Sequence, residues 1–453
     1  MNHPASFRDP SGFIFRENGK LFRQVNTVYK EHYDKLMESG LYKTLVEKKL
    51  LVSHVELAVP AESGAYRILE PQKVPFISYP YEWSFSQLKD AALCTLEIHE
   101  TAMAHGMILK DATAYNIQFI QGHPVFIDTL SFEKHIEGKP WVAYRQFCEH
   151  FLAPLALMAK RDIRFQQYSR IHIDGIPLDF AARNLPLSAR FNPGLLMHLF
   201  LHAKSKKRFE SKKVNLSKLK ISRMAHLGLI DSLKKTIQSL VWKPGTTEWG
   251  DYYNDTNYSA EAFAAKQEIV EKMVQKIGPR IVWDLGANDG TFSRIAAKTA
   301  ELVVSFDIDP LAVEKNYQKV KKNNEKNILP LLLDLTNPSP GLGWGNRERD
   351  SLLDRGPADC VVALALVHHL AIGNNVPFGS IAEFMAKAGR NLVIEWVPKD
   401  DSQVDRLLVS REDVFPWYSQ KEFVQSFESL FSPPVAQNIS GSGRTLYSWE
   451  IKG

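Results

Sequence analysis

Apolar and polar positions change their rhythm about halfway along the chain. Gly12 to Val25, GFIFRENGKLFRQV, alternates around Asn18-Gly19 and predicts a β-hairpin. A helix-period stretch runs from Tyr29 to Lys49, short strands are expected near Ala65 to Leu69 and Pro75 to Tyr79, and Ser84 to His105 reads as helix. A second hairpin turns at Gln121-Gly122, and beyond Trp141 the pattern is helical, as in YRQFCEHFLAPLALM and FNPGLLMHLFLHA. The later part instead interleaves apolar strands with helices. The strands are IVWDL from Ile281, LVVSFDID reaching Asp307, ILPLLLD ending at Asp334, DCVVALALVHHL running into His368 and His369, and RNLVIEWVPK. That alternation predicts an α/β sheet, and SGSGRTLYSWEIK adds a final antiparallel strand. The chain thus divides into three parts: residues 1–202, a helical connector at 203–245, and residues 246–453.

The stretch IVWDLGANDGTFS, Ile281 to Ser293, joins a strand to a helix through a turn carrying Gly286, Asn288 and Gly290. Two glycines let the backbone approach a small ligand, with the N–H groups of the helix start behind it. A dinucleotide loop needs Gly-x-Gly-x-x-Gly and a phosphate loop ends in Gly-Lys-Ser/Thr; this loop has neither, and Asp284 stands at its mouth. A cationic ligand suits it better. The pattern Asp-x-Gly-x-x-x-Gly, followed by strands ending at Asp307, Asp334 and the histidine pair, resembles class I S-adenosylmethionine-dependent methyltransferases over roughly Glu248 to Gly453. The resemblance implies a doubly wound, Rossmann-like domain that binds S-adenosyl-L-methionine through Asp284, Gly286, Asn288 and Gly290. It assigns Asp307 to the ribose hydroxyls and Asp334 to the adenine. More loosely, this half resembles bacterial methyltransferases of the nodulation-protein type.

In the first half a small sheet with a helix leads into a helical lobe. Within HGMILKDATAYNIQFIQGHPVFIDTLSF, Asp111 and Asn116 have the spacing Asp-x-x-x-x-Asn, and a hairpin returns the chain to Asp128. The segment resembles the catalytic core of protein kinases and related small-molecule phosphotransferases. The resemblance implies an α+β kinase-like fold in which Asp111 orients a hydroxyl while Asn116 and Asp128 hold Mg2+ against ATP. Departures are visible: Asp128-Thr129-Leu130 replaces Asp-Phe-Gly, Leu109-Lys110-Asp111 replaces His-Arg-Asp, and no glycine-rich loop precedes the hairpin. Lys20 or Arg23 is available as the strand lysine's counterpart, and Glu31 or Glu38 as its helix partner. The other reading is that these polar residues only cap and staple a hairpin.

At 453 residues, 44% apolar and 24% charged, the chain has the composition of a multidomain globular protein. A net charge of +5 does not by itself imply nucleic acid. The positive charge is concentrated in the connector: Lys204, Lys206, Lys207, Arg208, Lys212, Lys213, Lys218, Lys220 and Arg223. Such a run suits an anionic substrate, a membrane surface or RNA, and more often is a solvated face. Cys94, Cys148 and Cys360 lack metal-ligand spacing and read as thiols in a reducing compartment. The start MNHPASFRDP lacks an apolar signal core and no apolar run spans a bilayer, so a cytoplasmic location is expected.

The acceptor is less legible. Asn/Asp-Pro-Pro-aromatic, common after the fourth strand where planar amino groups are methylated, is absent from ALALVHHL. This leans toward an oxygen on a glycan or a small hydroxylated or carboxylated molecule, with His369, or less readily His368, taking the proton. Trp249 to Phe263 is expected to lid the cofactor or merely to pack on the sheet. Glu395, Lys399, Asp400 and Asp401 fall where substrate loops lie in this architecture. The leading reading is a methyltransferase following a kinase-like domain that binds nucleotide or phosphorylates the acceptor. The alternatives are a non-catalytic, acceptor-recruiting first domain, or RNA modification through the connector. Neither the acceptor nor an oligomeric state can be named from the sequence.

Overall fold

The computed structural model describes residues 3–59, 64–203, 221–245, 258–409 and 412–452. It divides into two compact units: Met1–Lys243 together with Leu342–Arg349, and Pro244–Gly341 together with Asp350–Gly453.

In the first unit, β1 (Gly12–Glu17) and β2 (Lys20–Asn26) form a hairpin whose turn places Asn18 at φ 49° and Gly19 at φ 77°, both left-handed as a two-residue turn requires. With β3 (His54–Leu57) and β4 (Ala65–Pro71) they make a four-stranded antiparallel sheet ordered β1-β2-β4-β3. The expected single helix from Tyr29 to Lys49 is two helices, α1 (Lys30–Glu38) and α2 (Leu41–Glu47). Gly40, at φ 77°, breaks the helical path between them. Tyr33 of α1 packs with Val25, Tyr29, Leu69 and Leu130, which ties the sheet to the segment around Leu130.

The strand expected over Pro75 to Tyr79 does not form. The backbone at Ser78 is satisfied instead by one side chain: its N–H donates to Gln118 Oε1 (2.8 Å) and its carbonyl accepts from Gln118 Nε2 (2.9 Å). Helix α3 (Phe85–Ala104) starts at a capping box of Ser84 and Gln87. After it β5 (Met107–Leu109) pairs with β8 (Phe132–Lys134), and between them β6 (Ile117–Ile120) and β7 (His123–Phe126) form the hairpin through Gln121 (φ 52°) and Gly122 (φ 79°). Helix α4 (Arg223–Ser239) runs beside α3, with the Nε2 atoms of His99 and His226 3.0 Å apart. Of the basic connector run, Lys204 to Lys220 lies outside the described residues and Arg223 opens α4.

The second unit holds β9 (Ile281–Leu285), β10 (Leu302–Asp307), β11 (Ile328–Leu332), β12 (Ala358–Ala363), β13 (Gly389–Trp396), β14 (Val435–Asn438) and β15 (Thr445–Glu450). They form one seven-stranded sheet ordered β11-β10-β9-β12-β13-β15-β14. The first five strands are parallel, and β15 inserts antiparallel between β13 and β14. This is a Rossmann-like doubly wound sheet. Strand order reverses at β9, flanked by β10 and β12, so the crevice beyond its carboxyl end is where such sheets bind ligands. Helices α5 (Ala260–Ile277), α6 (Thr291–Ala296) and α7 (Pro310–Asn323) accompany the first strands. The apolar stripe of α5, Ala262, Val270, Met273 and Val274, is buried with Val282 and Val303.

The fourth strand is shorter than its apolar run. It stops at Ala363; Ala365 takes a left-handed conformation (φ 49°), and its N–H leaves the ladder to donate to Glu395 Oε2 (2.8 Å). His368 and His369 therefore open a helical turn, His369–Gly373, and do not end a strand. Among the described residues no helix is long and apolar enough to cross a membrane.

Candidate functional site

At the carboxyl end of β9 the chain turns through three left-handed residues, Gly286 (φ 78°), Asn288 (φ 51°) and Gly290 (φ 81°). The turn is tied to β10: the N–H groups of Gly286 and Ala287 both donate to the carbonyl of Phe306, at 2.9 and 2.8 Å. Asp307 Oδ2 accepts the N–H of Asn288 (2.7 Å), and Oδ1 accepts that of Asp309 (2.8 Å). A carboxylate at a strand end thus fixes two loops at once. The two glycines differ. A Cβ on Gly290 would lie 2.4 Å from Asn316 Oδ1 and 2.6 Å from Arg294 Nη1, so that glycine serves packing beneath the loop. A Cβ on Gly286 would only touch Leu366, at 3.4 Å.

The loop borders a cleft of about 430 Å³, counting its open mouth, whose walls include Tyr258, Lys266, Asp284, Gly286, Asn288 and Phe292. Asp284 is buried and accepts from Ser293 Oγ (2.6 Å), which is itself 2.8 Å from Ser305 Oγ. Burial pushes the Asp284 carboxyl up to about 7 and that of Asp307 to about 6. Of the two carboxyls only Asp284 lines the cleft, beside the aromatic rings of Tyr258 and Phe292. In its lining this cleft combines one carboxylate with aromatic and aliphatic side chains.

One wall of the cleft rests on a buried ionic network. Lys266 Nζ donates to Glu395 Oε2 at 2.6 Å, and Arg444 bridges Glu395 (Nη1, 3.3 Å) and Asp401 (Nε to Oδ2, 2.8 Å; Nη2 to Oδ1, 3.0 Å). The Tyr258 hydroxyl donates to the same Glu395. Burial alone would raise the Glu395 carboxyl, but Lys266 and Arg444 hold it below its ordinary value, while burial lowers the Lys266 ammonium. Lys266 was missed in the sequence, although a signal was there: in α5 it falls in phase with Ala262, Val270 and Met273, where a lysine needs a buried partner. Glu395, expected on a substrate loop, is buried in this network, and the side chain of Asp401, expected there too, is drawn into it by Arg444. Lys399 donates to the carbonyl of Phe415 and pairs with Asp413 at 2.7 Å. Of the aromatic stretch ahead of β9, Trp249 to Asn257 lies outside the described residues; Tyr258 and Phe263 line the cleft.

The remaining expected residues stand apart from the cleft walls. His368 is fully buried with no hydrogen-bond partner at either ring nitrogen, and burial holds it well below the usual imidazole range. His369 is lowered to about 4, mainly by burial with Arg444 adding to it. Neither ring lines the cleft beside Asp284. Asp334, two residues past β11, accepts the N–H (2.8 Å) and hydroxyl (2.6 Å) of Thr336.

In the first unit, Asp111, Asn116 and Asp128 do come together. Asn116 Nδ2 donates to Ser131 Oγ (3.2 Å), Ser131 Oγ donates to Asp128 Oδ2 (2.5 Å), and Asp128 Oδ1 accepts from the N–H of Leu130 (3.2 Å). Burial raises the Asp111 carboxyl, with Asp128 adding repulsion. The cation in the cluster is Arg23, whose Nη2 lies 2.9 Å from Asp128 Oδ1; Lys20 pairs elsewhere, with Glu70. These residues do not fit Mg2+. Both Asp128 oxygens already accept from donors, and Asn116 turns its amide nitrogen into the cluster. Among the described residues no three His, Cys, Asp or Glu side chains are grouped to hold a metal ion.

No family model matches the chain. It is 35% identical over 457 residues, 98% of its own length and 95% of the relative's, to nodulation protein NoeA of Rhizobium meliloti (strain 1021). A shorter stretch of 77 residues, 17% of this chain and 23% of the other, is 36% identical to the tRNA (guanine(37)-N(1))-methyltransferase Trm5b of Pyrococcus abyssi (strain GE5 / Orsay). Among solved structures, the N-methyltransferase NodS from Bradyrhizobium japonicum WM9 aligns over 43% of this chain and 99% of its own, with 12% identity and a TM-score of 0.31.

Proposed function

The chain belongs to the family of the nodulation protein NoeA, and on that premise we propose that its second unit is an S-adenosylmethionine-dependent methyltransferase. The observation that carries the reading is the cleft at the sheet's switch point. There, buried Asp284 and the Gly286–Asn288 backbone meet, and Asp307 fixes the loop through Asn288. The donor supplies a methyl group activated on sulfur. The chain's own task is to bind it, exclude water and hold an acceptor in line, which needs geometry more than acid–base chemistry.

The acceptor in this reading is an oxygen of a glycan or of a small hydroxylated or carboxylated molecule. For a hydroxyl, His369, or less readily His368, takes the proton; a carboxylate needs no base. In the donor site, Asp307 is assigned to the ribose, Asp334 to the adenine, and Gly290 to the loop's shape. The first unit is read as a kinase-like module that recruits the acceptor. The Arg23–Asp128 ion pair supports this recruiting role over magnesium-dependent phosphoryl transfer. The Trm5b match keeps an RNA acceptor as a second reading; it predicts RNA binding that falls steeply with salt.

The test is calorimetry of S-adenosylmethionine on the full chain and on Asp307→Ala, followed by labelled methyl transfer into fractionated cell extract. Removing Asp307 takes away charge-assisted hydrogen bonds of about 1.5–3 kcal/mol each, so affinity should fall at least about tenfold. Wild-type affinity in a folded Asp307→Ala chain removes that residue from the donor site, and no binding by the wild type overturns the reading.

A further inference from the structure

The Asp128 cluster of the first unit has a second side that the methyltransferase reading does not use. Arg23, on β2, reaches Asp128 with Nη2, and the same atom lies 3.8 Å from Asp9 Oδ2. Its Nε is buried with no hydrogen-bond partner. Beside it Lys110, just past β5, places Nζ 3.4 Å from Asp9 Oδ1 and 2.6 Å from Ser11 Oγ. Two cations, one on β2 and one just past β5, thus converge on a carboxylate carried by the segment before β1.

That segment is anchored on both sides of Asp9. Arg8 makes a forked pair with Glu348 (Nη2 to Oε1, 2.8 Å; Nε to Oε2, 3.1 Å). Ser11 donates its N–H to Asp9 Oδ1 (2.8 Å) and its carbonyl accepts from the N–H of Asn26 (2.8 Å). Asp9 itself is held more lightly. Its side chain is about a third exposed, and its contacts to the two cations, 3.4 and 3.8 Å, are longer than the 2.9 Å between Arg23 and Asp128. Charge explains the arrangement. Asp128 balances one of the two cations, burial raises the Asp111 carboxyl, and Asp9 supplies the negative charge that balances the other.

We propose that Arg23 and Lys110 form an anion site that works without a divalent ion, that Asp9 occupies it in this structure, and that a phosphate-bearing ligand exchanges for the Asp9 carboxylate. A phosphate group is the matching chemistry. It offers more acceptor oxygens than the two of Asp9, enough to answer Arg23 and Lys110 together. Arg23 stays on Asp128 throughout and takes the place a metal ion would otherwise fill. The proposal concerns the first unit only, so its test involves no methyl transfer.

The experiment is titration of the full chain with inorganic pyrophosphate in EDTA, read by calorimetry and by the unfolding midpoint, which a ligand of the native state raises. Asp9→Asn should bind about fivefold more tightly than the wild type, the scale of a partly exposed ion pair removed from competition. Lys110→Gln should bind about tenfold more weakly, through loss of a charge-assisted hydrogen bond. Arg23→Gln should abolish binding; should that chain fail to fold, Lys110→Gln, at a half-buried position, carries the test. A parallel titration uses ATP with the second unit saturated by S-adenosylhomocysteine. ATP tighter than pyrophosphate assigns the site to a nucleotide, equal affinity assigns it to the phosphate group alone, and both uphold it. Three results overturn it: binding that appears only with Mg2+, equal affinity in Asp9→Asn and wild type, or no binding of either probe at millimolar concentration.

Discussion

Lys266 Nζ and Glu395 Oε2 lie 2.6 Å apart with side chains 4% and 0% exposed, an ion pair almost wholly closed to water. Taking both charges out of water is offset only because Arg444, Tyr258 and the Ala365 N–H also reach Glu395. Removal of one partner leaves the other charge buried. Lys266→Met should therefore destabilise the second unit by about 3–5 kcal/mol, while Lys266→Met with Glu395→Leu should cost less than the sum of the two single changes. Urea unfolding of the four chains checks this, and strict additivity would show that the pair is not coupled.

The raised carboxyl of Asp284 gives a pH dependence with a definite sign. Its folded value, about 7, lies above the unfolded one, so between roughly pH 4 and 7 the native state holds the extra proton and stability falls as pH rises. Asp284→Asn should flatten that decline. A cationic donor needs the carboxylate, so its affinity should improve about tenfold from pH 6 to pH 8 in the wild type and stay level in the variant. Calorimetry across that range decides, and a level wild-type profile would separate Asp284 from the donor's charge.

His369, lowered to about 4, is already neutral above pH 5. If it is the base for a hydroxyl acceptor, His369→Ala should reduce kcat about a hundredfold with donor affinity unchanged. The wild-type rate should then show no limb from this histidine between pH 5 and 8. An acidic limb near 6.5 that vanishes in the variant would contradict the buried, neutral ring.

Gly286 and Gly290 should separate in a paired substitution. At Gly290, also left-handed at φ 81°, a methyl group collides with Asn316 and Arg294 on top of the left-handed strain, so Gly290→Ala should lower stability by about 2–5 kcal/mol. At Gly286 a methyl group meets only Leu366, leaving mainly the left-handed strain of about 1–2 kcal/mol, but the residue lines the cleft. Gly286→Ala should therefore lose more donor affinity than stability. Chemical unfolding and donor titration of both variants measure the contrast, and equal stability losses would refute it.

What could be read from the sequence was local. The turns at Asn18-Gly19 and Gln121-Gly122, and the loop after β9, are written in short runs whose backbone needs only glycine, asparagine or glutamine at φ above zero. Lys266 was readable too, as a charge in phase with an apolar stripe. The pairing of Arg23 with Asp128 was not, because it joins residues 105 positions apart through strands whose alignment the sequence does not fix. Nor was the end of β12 at Ala363: ALALVHHL is apolar up to its histidines, and the turn at Ala365 depends on a carboxylate from another strand. The missing strand at Pro75–Tyr79 has the same cause, a distant glutamine satisfying the backbone that a neighbouring strand would have paired.

Leu342–Arg349 belongs to the first unit although it lies far along the sequence that builds the second. Leu342 packs on the tyrosines at 79, 81 and 115, Glu348 receives the fork of Arg8, and Arg349 stacks 4.2 Å from the centre of the Tyr115 ring. On the ribosome, at about 5–20 residues per second, the first unit must wait several seconds after Lys243 emerges before these partners are made. Until then Arg8 and the three tyrosines lack them, and a nascent chain stalled between the two segments should be open to protease at its amino end. The same dependence weighs on a cut at the connector: a first unit ending there lacks the Leu342, Glu348 and Arg349 contacts and should gain stability when residues 342–349 are supplied in trans.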